Sequence, residues 1–273
     1  MKADLHLHTT ESDGTWTPAQ IGTEAVKRGL SVIAITDHDT TAGVKEAVRN
    51  APTELKVIPG IELSTTTEAE EEVHILGYWI DISNPHLEDK LIRFRESRIG
   101  RAHEIISKLN QLGIPLNYED VLQFASRSVV SRSHIAAALQ KTGVVQSKTE
   151  AFTKWLGVGA PAYVPRFKIE PQEAVGLILD AGGVPVLAHP GLLTDLRIIS
   201  DLIPHGLVGI EVVHSAHSPS QTEYFLRIAG ELGLIPSGGS DCHGPGGKDQ
   251  LFMGDYTIPI HWVDELYSQR GRY

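Results

Sequence analysis

Asp4-Leu5-His6-Leu7-His8 opens the chain with three potential metal ligands on alternate residues. Successive side chains of a β-strand point to opposite faces, so residues 4, 6 and 8 share one face. Leu5 and Leu7 then enter apolar packing on the other. Two imidazoles converging on one side suit zinc, manganese or iron far better than magnesium. Taken alone, the pattern also describes an edge strand with two solvated histidines. The choice between the two depends on what the other strands carry.

Short β-rich runs recur at 2–7, 31–36, 56–61, 73–79, 184–188, 207–213 and 234–238. Amphipathic stretches at 18–28, 42–50, 171–181 and 219–232 alternate with them, and Pro18, Pro171 and Pro219 stand at first-turn positions. This alternation predicts a parallel sheet, and about seven such units favour a barrel over an open sheet. His6 and His8 end the first strand, Asp37 and His38 follow the second, Glu62 follows the third, and His74 lies in the fourth. His189 follows Val186-Leu187-Ala188, and Asp241 and His243 follow Ile235-Pro236-Ser237-Gly238-Gly239. In a parallel barrel the C-terminal strand ends open onto one face, so these residues are expected to converge there. His86, His103 and His205 fall instead on expected helix surfaces.

Residues 92–165 interrupt the alternation and read as helices only, at about 92–112, 117–125, 133–140 and 149–156. The expected organisation is therefore an α/β barrel in two parts, 1–91 and 166–273, with a helical insertion at 92–165. Lying between the fourth and fifth strands in sequence, that insertion is expected to overhang the barrel mouth. The 273 residues, 41% hydrophobic and 21% charged, suffice for a sizeable core. A formal net charge of -10 with no long basic run argues against a protein held on duplex nucleic acid by charge. Cys242 is the only cysteine, which excludes an intrachain disulfide and points to a reducing cytoplasm. With the ligand strand starting at once, no leader is expected, and no apolar run reaches the roughly 18 residues of a membrane span.

In order along the chain stand Asp4-x-His6-x-His8, Thr36-Asp37-His38, Gly60-Ile61-Glu62, His74, Ala188-His189-Pro190 and Ser240-Asp241-Cys242-His243. With these motifs the chain resembles the polymerase and histidinol phosphatase (PHP) family of metal-dependent phosphoesterases. The resemblance implies a distorted seven-stranded β/α barrel holding two to three divalent transition metals (Mn, Zn or Fe) at its mouth. By resemblance, His6, His8, Glu62 and Asp241 hold the first metal, and Glu62, His74 and His189 the second, with Glu62 bridging. Asp13, His38 and His243 hold a third. Some relatives carry His where Asp13 stands. Glu62 and Asp241 are also expected to be catalytic. A bridging carboxylate sets two cations roughly 3.5–4 Å apart, and water between them is acidified into a nucleophile. Asp4 and Asp37 are expected to orient imidazoles rather than bind metal, although Asp4 also reads as a solvated acid near the terminus.

Within the insertion, Ser131-Arg132-Ser133-His134 opens a helix, and Pro161-Ala162-Tyr163-Val164-Pro165-Arg166 closes the segment. Both resemble segments of the PHP subgroup acting on 3',5'-bisphosphorylated nucleotides and on 5' ends of short RNA. Ser131 and Arg132 at a helix N-terminus suit a phosphate clamp, with Arg166 as a second cation. Either arginine alone also reads as a surface ion pair, and His134 fits helix packing as well as substrate contact. Near 213–214 relatives carry an aromatic residue, which makes His217 rather than His214 the expected substrate-facing group. Cys242 is expected to be buried packing rather than a nucleophile.

The expected activity is hydrolysis of the 3'-phosphate of such nucleotides, on a small nucleotide or short single-stranded RNA and not on duplex. The alternatives are a histidinol-phosphate phosphatase and a non-catalytic, metal-binding accessory module of a polymerase. C–N hydrolysis as in amidohydrolase barrels needs a carboxylated lysine at a strand end, and Lys56 stands at the wrong end of its strand.

Overall fold

Val32-Ile33-Ala34-Ile35 and Val184-Pro185-Val186-Leu187 are buried throughout, as strands covered on both faces must be. The computed structural model describes residues 2–125, 130–165, 169–246 and 252–271. The first part of the chain runs β1 (Lys2–Asp4), α1 (Pro18–Lys27), β2 (Val32–Ile35), α2 (Val44–Asn50), β3 (Lys56–Thr66) and β4 (Glu72–Tyr78). Four helices follow: α3 (Pro85–Gln111), α4 (Tyr118–Ala125), α5 (Arg132–Lys141) and α6 (Lys148–Ala151), the last continued by a π-helical turn at Phe152–Leu156. The chain returns through α7 (Pro171–Asp180), β5 (Val184–Leu187), α8 (Arg197–Leu202), β6 (Gly209–Val213), α9 (Pro219–Leu232), β7 (Ile235–Gly238), β8 (Ile258–Pro259) and α10 (Ile260–Ser268).

Local chemistry explains the helix bounds. Proline opens α1, α7 and α9, where a missing N–H costs nothing. Ahead of α9, the Ser218 hydroxyl accepts from the Gln221 N–H while the Gln221 side chain accepts from the Ser218 N–H. Gly233, at φ 70°, ends that helix in the left-handed conformation that glycine adopts without penalty.

Among the described residues the sheet has eight strands in the order β7-β6-β5-β4-β3-β2-β1-β8. Leu5 N–H donates to Gly238 O at 3.1 Å, and Leu7 bridges Cys242 in parallel, so the β7 and β1 ends meet and nearly close a barrel. Several features depart from the sequence-based expectation: β1 ends at Asp4, so His6 and His8 lie beyond it, and β3 runs on to Thr66, so Glu62 lies within it. The eighth strand is a two-residue piece, Ile258–Pro259, pairing antiparallel with β1. So short a strand leaves no periodic signal. The sheet is also mixed, because β4 runs antiparallel to both β3 and β5. Only residues 67–71 connect β3 to β4, far short of the dozen or so that a parallel crossover requires.

The reversal of β4 matters for the site. β3 runs well past Glu62, and its partner register sets Ser64 opposite His74. His74, near the start of β4, thereby reaches the same end of the barrel as the residues that follow the parallel strands.

By its contacts the chain forms two compact units, residues 1–89 with 168–273, and residues 90–167. Among the described residues the first contains every strand and two apolar clusters. One gathers Leu5, Tyr78, Val186 and Leu266; the other packs Leu7, Ile33 and Ile35 against Ile21 and Ala25 of α1. Leu5 and Leu7 are both fully buried. The second unit has its own core, in which Ile105, Leu109, Val121, Ile135, Leu139 and Leu156 come together.

Gly239 shows how tightly the β7 end passes over β1. A Cβ there would lie 2.4 Å from the His6 nitrogen and 2.8 Å from Asp4 Oδ1. Gly239→Ala should therefore lower stability by about 1–3 kcal/mol, the usual cost of overpacking a tight site. Denaturant unfolding of the two proteins measures it, and an unchanged midpoint would mean that the strand ends move apart freely.

Candidate metal centre

The elements of the barrel deliver one polar group after another to the same end. His6, His8 and Asp13 follow β1, Asp37 and His38 follow β2, Glu62 lies within β3, and His74 within β4. His189 follows β5, Glu211 is central in β6, His214 and His217 follow β6, and Asp241 and His243 follow β7. In a chain so folded, residues hundreds of positions apart become neighbours.

Glu62 is the hub. Its Oε1 lies 2.8 Å from His74 Nδ1 and 3.1 Å from His189 Nε2. Its Oε2 lies 2.9 Å from His38 Nδ1, 3.3 Å from His8 Nε2 and 3.4 Å from His6 Nε2. Asp241 Oδ1 stands opposite, 2.9 Å from His8 Nε2 and 3.3 Å from His6 Nε2. Asp13 Oδ1 is 3.1 Å from His243 Nε2, 3.9 Å from His8 Nδ1 and 4.0 Å from His38 Nε2.

Among the described residues four sets of ligand atoms lie within 4.8 Å of one another: His6, His8, Glu62 and Asp241; His8, Asp13, His38 and His243; His38, Glu62 and His74; and His6, Glu211 and His214. The first and second contain the groupings read from the motifs. The third differs: Glu62 and His74 are joined by His38, whereas His189 reaches only the Glu62 side. One ring nitrogen of His38 faces Glu62 and the other faces Asp13, so this imidazole stands between two groupings.

The donor chemistry fits divalent cations. His6 Nε2, His8 Nε2 and Glu62 Oε2 are buried and form no hydrogen bond of acceptable geometry. His6 Nδ1 faces Glu211 Oε1 at 3.0 Å, and a carboxylate can only accept, so Nδ1 carries the proton. In the neutral ring Nε2 is then a lone pair directed at the oxygens of Glu62 and Asp241. A lone pair and two carboxylates converging in a buried space call for a cation.

The electrostatics follow from that crowding. Burial disfavours charge on Glu62, Asp241 and Asp13, yet the facing imidazoles hold all three well below the usual carboxylate range. Burial, with His243 and His38 adding to it, lowers His8 to about 3, which leaves a neutral imidazole ready to ligate. His74 is burdened by the same burial, but Glu62 and Glu72 raise it to about 10. Burial likewise opposes charge on His6, and Glu211, Asp241 and Glu62 outweigh it. In the absence of cations, protons on His6 and His74 balance the carboxylates.

Asp4 and Asp37 act through backbone N–H and hydroxyl groups. Asp37 accepts from the Thr9 N–H, the Thr9 hydroxyl and the Ser12 hydroxyl. Asp4 accepts from the Ser240 N–H and hydroxyl, the Gly254 N–H and the His6 backbone N–H. Both carboxylates are buried, and burial raises both, Asp4 to about 6. They hold the loops that carry the ligands, and Asp37 reaches the His8 ring through the Ser12 hydroxyl, 3.5 Å from His8 Nδ1.

Two carboxylates outside the motifs hold ligand rings: Glu72 faces His74 Nε2 at 3.3 Å, and the buried Glu211 faces His6 Nδ1 at 3.0 Å. A readable signal existed: Glu211 is the one acid within the apolar run Leu207-Val208-Gly209-Ile210-Glu211-Val212-Val213. An acid in such a strand must find partners inside.

His217 and His214 are held in different ways. His217 Nδ1–H donates to Val212 O at 2.9 Å, and its Nε2 accepts from the Gly191 N–H at 3.1 Å. With both ring nitrogens engaged, His217 staples the loop, which leaves neither nitrogen for the substrate contact expected of it. His214 Nδ1 accepts from the Ala216 N–H at 3.0 Å, so its Nε2 carries the proton. That N–H is buried without a hydrogen-bond partner, 3.6 Å from Asp241 Oδ2. His214 thus offers a donor rather than a ligand. Cys242 is fully buried, its sulfur accepts from the Gly244 N–H, and burial raises its thiol, all against a nucleophile.

In the second unit, Ser131 precedes α5 and its N–H donates to His134 Nδ1 at 3.1 Å, so His134 caps the helix start. The half-buried Arg132 sits 5.5 Å over the Phe152 ring and 6.0 Å over Tyr163, and donates to Leu156 O at 3.4 Å. Arg166 lies outside the described residues.

Comparison with known proteins agrees with this geometry. The PHP domain model matches residues 4–144. The chain is 36% identical over 251 residues to the 5'-3' exoribonuclease Rnm of Salmonella typhimurium, spanning 89% of this chain and 85% of that protein. It is 36% identical over 256 residues to the 3',5'-nucleoside bisphosphate phosphatase of Chromobacterium violaceum, spanning 90% and 89%. Among solved structures, a metal-dependent phosphoesterase from Bifidobacterium adolescentis superimposes with a TM-score of 0.85 at 33% identity, covering 98% of this chain and 96% of that one. By motif order, barrel, buried donor cluster and these likenesses, the chain belongs to the PHP domain family.

Proposed function

We propose that the protein is a metal-dependent phosphoesterase that removes the 3'-phosphate of 3',5'-bisphosphorylated nucleotides and trims 5' ends of short single-stranded RNA. The observation that carries this reading is the convergence of five imidazoles on the buried, ionised Glu62 carboxylate. The names of the two similar proteins supply the substrate class. In this reading His6, His8, Glu62 and Asp241 hold one cation, Glu62, His74 and His189 a second, and Asp13, His38 and His243 a third. Mn, Zn or Fe suits such an imidazole-rich set better than magnesium. Divalent cations there supply Lewis acidity, which makes water a nucleophile near neutral pH and offsets charge on phosphoryl oxygens.

The chain's own residues do the rest. Glu62 and Asp241 orient the imidazoles facing them, and His8 stays neutral at working pH, so its lone pair is available. His214 directs an N–H toward the Asp241 side, where a phosphoryl oxygen can accept it. A phosphate contact is assigned to Ser131 and Arg132 at the start of α5, whereas the Arg166 expectation lies outside the described residues. Stacking on Phe152 and Tyr163 preorganises the Arg132 guanidinium. A net charge of -10 disfavours long polyanions and duplexes. Among the described residues no helix is long and apolar enough to cross a membrane. Carboxylated-lysine chemistry finds no support, since Lys56 begins β3 and lies 5.5 Å over the Tyr267 ring.

Replacing Glu62 by Gln should reduce turnover by several orders of magnitude, because one residue serves several ligand groups at once. Metal analysis should find fewer ions per chain; full occupancy with normal turnover would remove Glu62 from the centre. Arg132→Ala should leave metal content unchanged. Loss of a charge-assisted hydrogen bond, roughly 1.5–3 kcal/mol, predicts a loss of roughly ten- to hundredfold in kcat/KM. Unchanged kinetics on every phosphorylated substrate would end the clamp assignment. A manganese-supplemented panel should show release of the 3'-phosphate from adenosine 3',5'-bisphosphate and poor turnover of 5'-hydroxyl analogues. Equal rates without the 5'-phosphate, or faster turnover of histidinol phosphate, would contradict the proposal.

A further inference from the structure

Glu211 is fully buried at the centre of β6, and both of its oxygens are committed. Oε1 faces His6 Nδ1 at 3.0 Å. Oε2 accepts from the backbone N–H of His189 at 2.7 Å. His189 has φ 28° and ψ 56°, a conformation that a non-glycine residue holds only when its surroundings impose it. The other side of that turn is pinned as well. Gly191 N–H donates to His217 Nε2 at 3.1 Å, and Gln221 Nε2 donates to Gly191 O at 3.2 Å. A Cβ at Gly191 would lie 2.6 Å from the His217 ring, so the turn is closely packed against this staple.

We propose that Glu211 is a positioning residue that prepares two cation sites at once, by fixing the tautomer of His6 and the backbone turn of His189. The proposal rests on the reading of His6 and His189 as ligands in different groupings. Two donors face Glu211, and a carboxylate offers two acceptors. A glutamine of the same shape offers one acceptor and one donor, so it cannot satisfy both. If its oxygen meets the His189 N–H, its amino group meets His6 Nδ1. His6 must then carry its proton on Nε2, which removes the lone pair facing Glu62 and Asp241. If the amide is turned the other way, the His189 N–H faces another donor and the turn loses its anchor. Either orientation damages one grouping directly, and through the shared Glu62 it weakens the other.

The test compares wild type with Glu211→Gln by zinc and manganese titration against a chromophoric chelator, alongside nitrogen NMR of zinc-loaded, histidine-labelled protein. Wild type should show His6 protonated at Nδ1. The variant should bind more than one ion roughly 10- to 100-fold more weakly and lose that His6 signal. Equal affinities in the two proteins would overturn the positioning role while leaving the metal centre standing. A wild-type protein that binds no metal would overturn both. If the variant does not fold, the wild-type spectrum still decides: His6 protonated at Nε2, with Nδ1 bare, contradicts the proposal.

Discussion

Glu62 carries a carboxylate buried from solvent, and five imidazoles stand within 3.4 Å of its two oxygens. Removing one such charge from water costs several kcal/mol unless partners replace the lost hydration. The rest of the barrel can be understood as the means of supplying them. His6 and His8 must leave β1 on one face, His38 must leave β2 beside them, and His189 must turn back after β5. His74 reaches the same place only because β4 is reversed. A conventional parallel fourth strand would carry a residue so near its start to the opposite end of the barrel.

Around the hub, three other buried carboxylates have separate tasks. Asp37 ties the Thr9–Ser12 loop to the end of β2. Asp4 ties the Ser240 segment and Gly254 back to β1. Glu211 joins an imidazole to a strained backbone turn. The two outer histidines divide likewise. His217 spends both nitrogens on the scaffold, whereas His214 spends one and keeps a buried N–H beside Asp241. Such opposite tautomers, set by backbone groups and a carboxylate, determine which ring can ligate and which can donate.

Much of this was legible before any coordinates. Strand–helix alternation with prolines at helix starts located most barrel elements, and the His6-x-His8 spacing brought the two imidazoles together although β1 ends at Asp4. Residues that escaped reading did so for identifiable reasons. β8 is only two residues long, too short for any period. The reversal of β4 is encoded in a short connection, which periodicity does not register; link length does. Glu211 belongs to no ligand motif, and only its isolation in an apolar strand marked it. The roles of His214 and His217 depend on which backbone N–H each ring meets, a tertiary fact absent from local sequence.

The account stands on the claim that this cluster is assembled around divalent cations and not around its own protons. Anomalous diffraction at the manganese edge, from crystals grown with manganese, measures that directly. The account predicts a peak within ligand distance of His6 Nε2, His8 Nε2, Glu62 and Asp241, with at least one further peak sharing Glu62. A crystal with no anomalous peak there, in which the imidazoles and carboxylates close directly on one another, would contradict it.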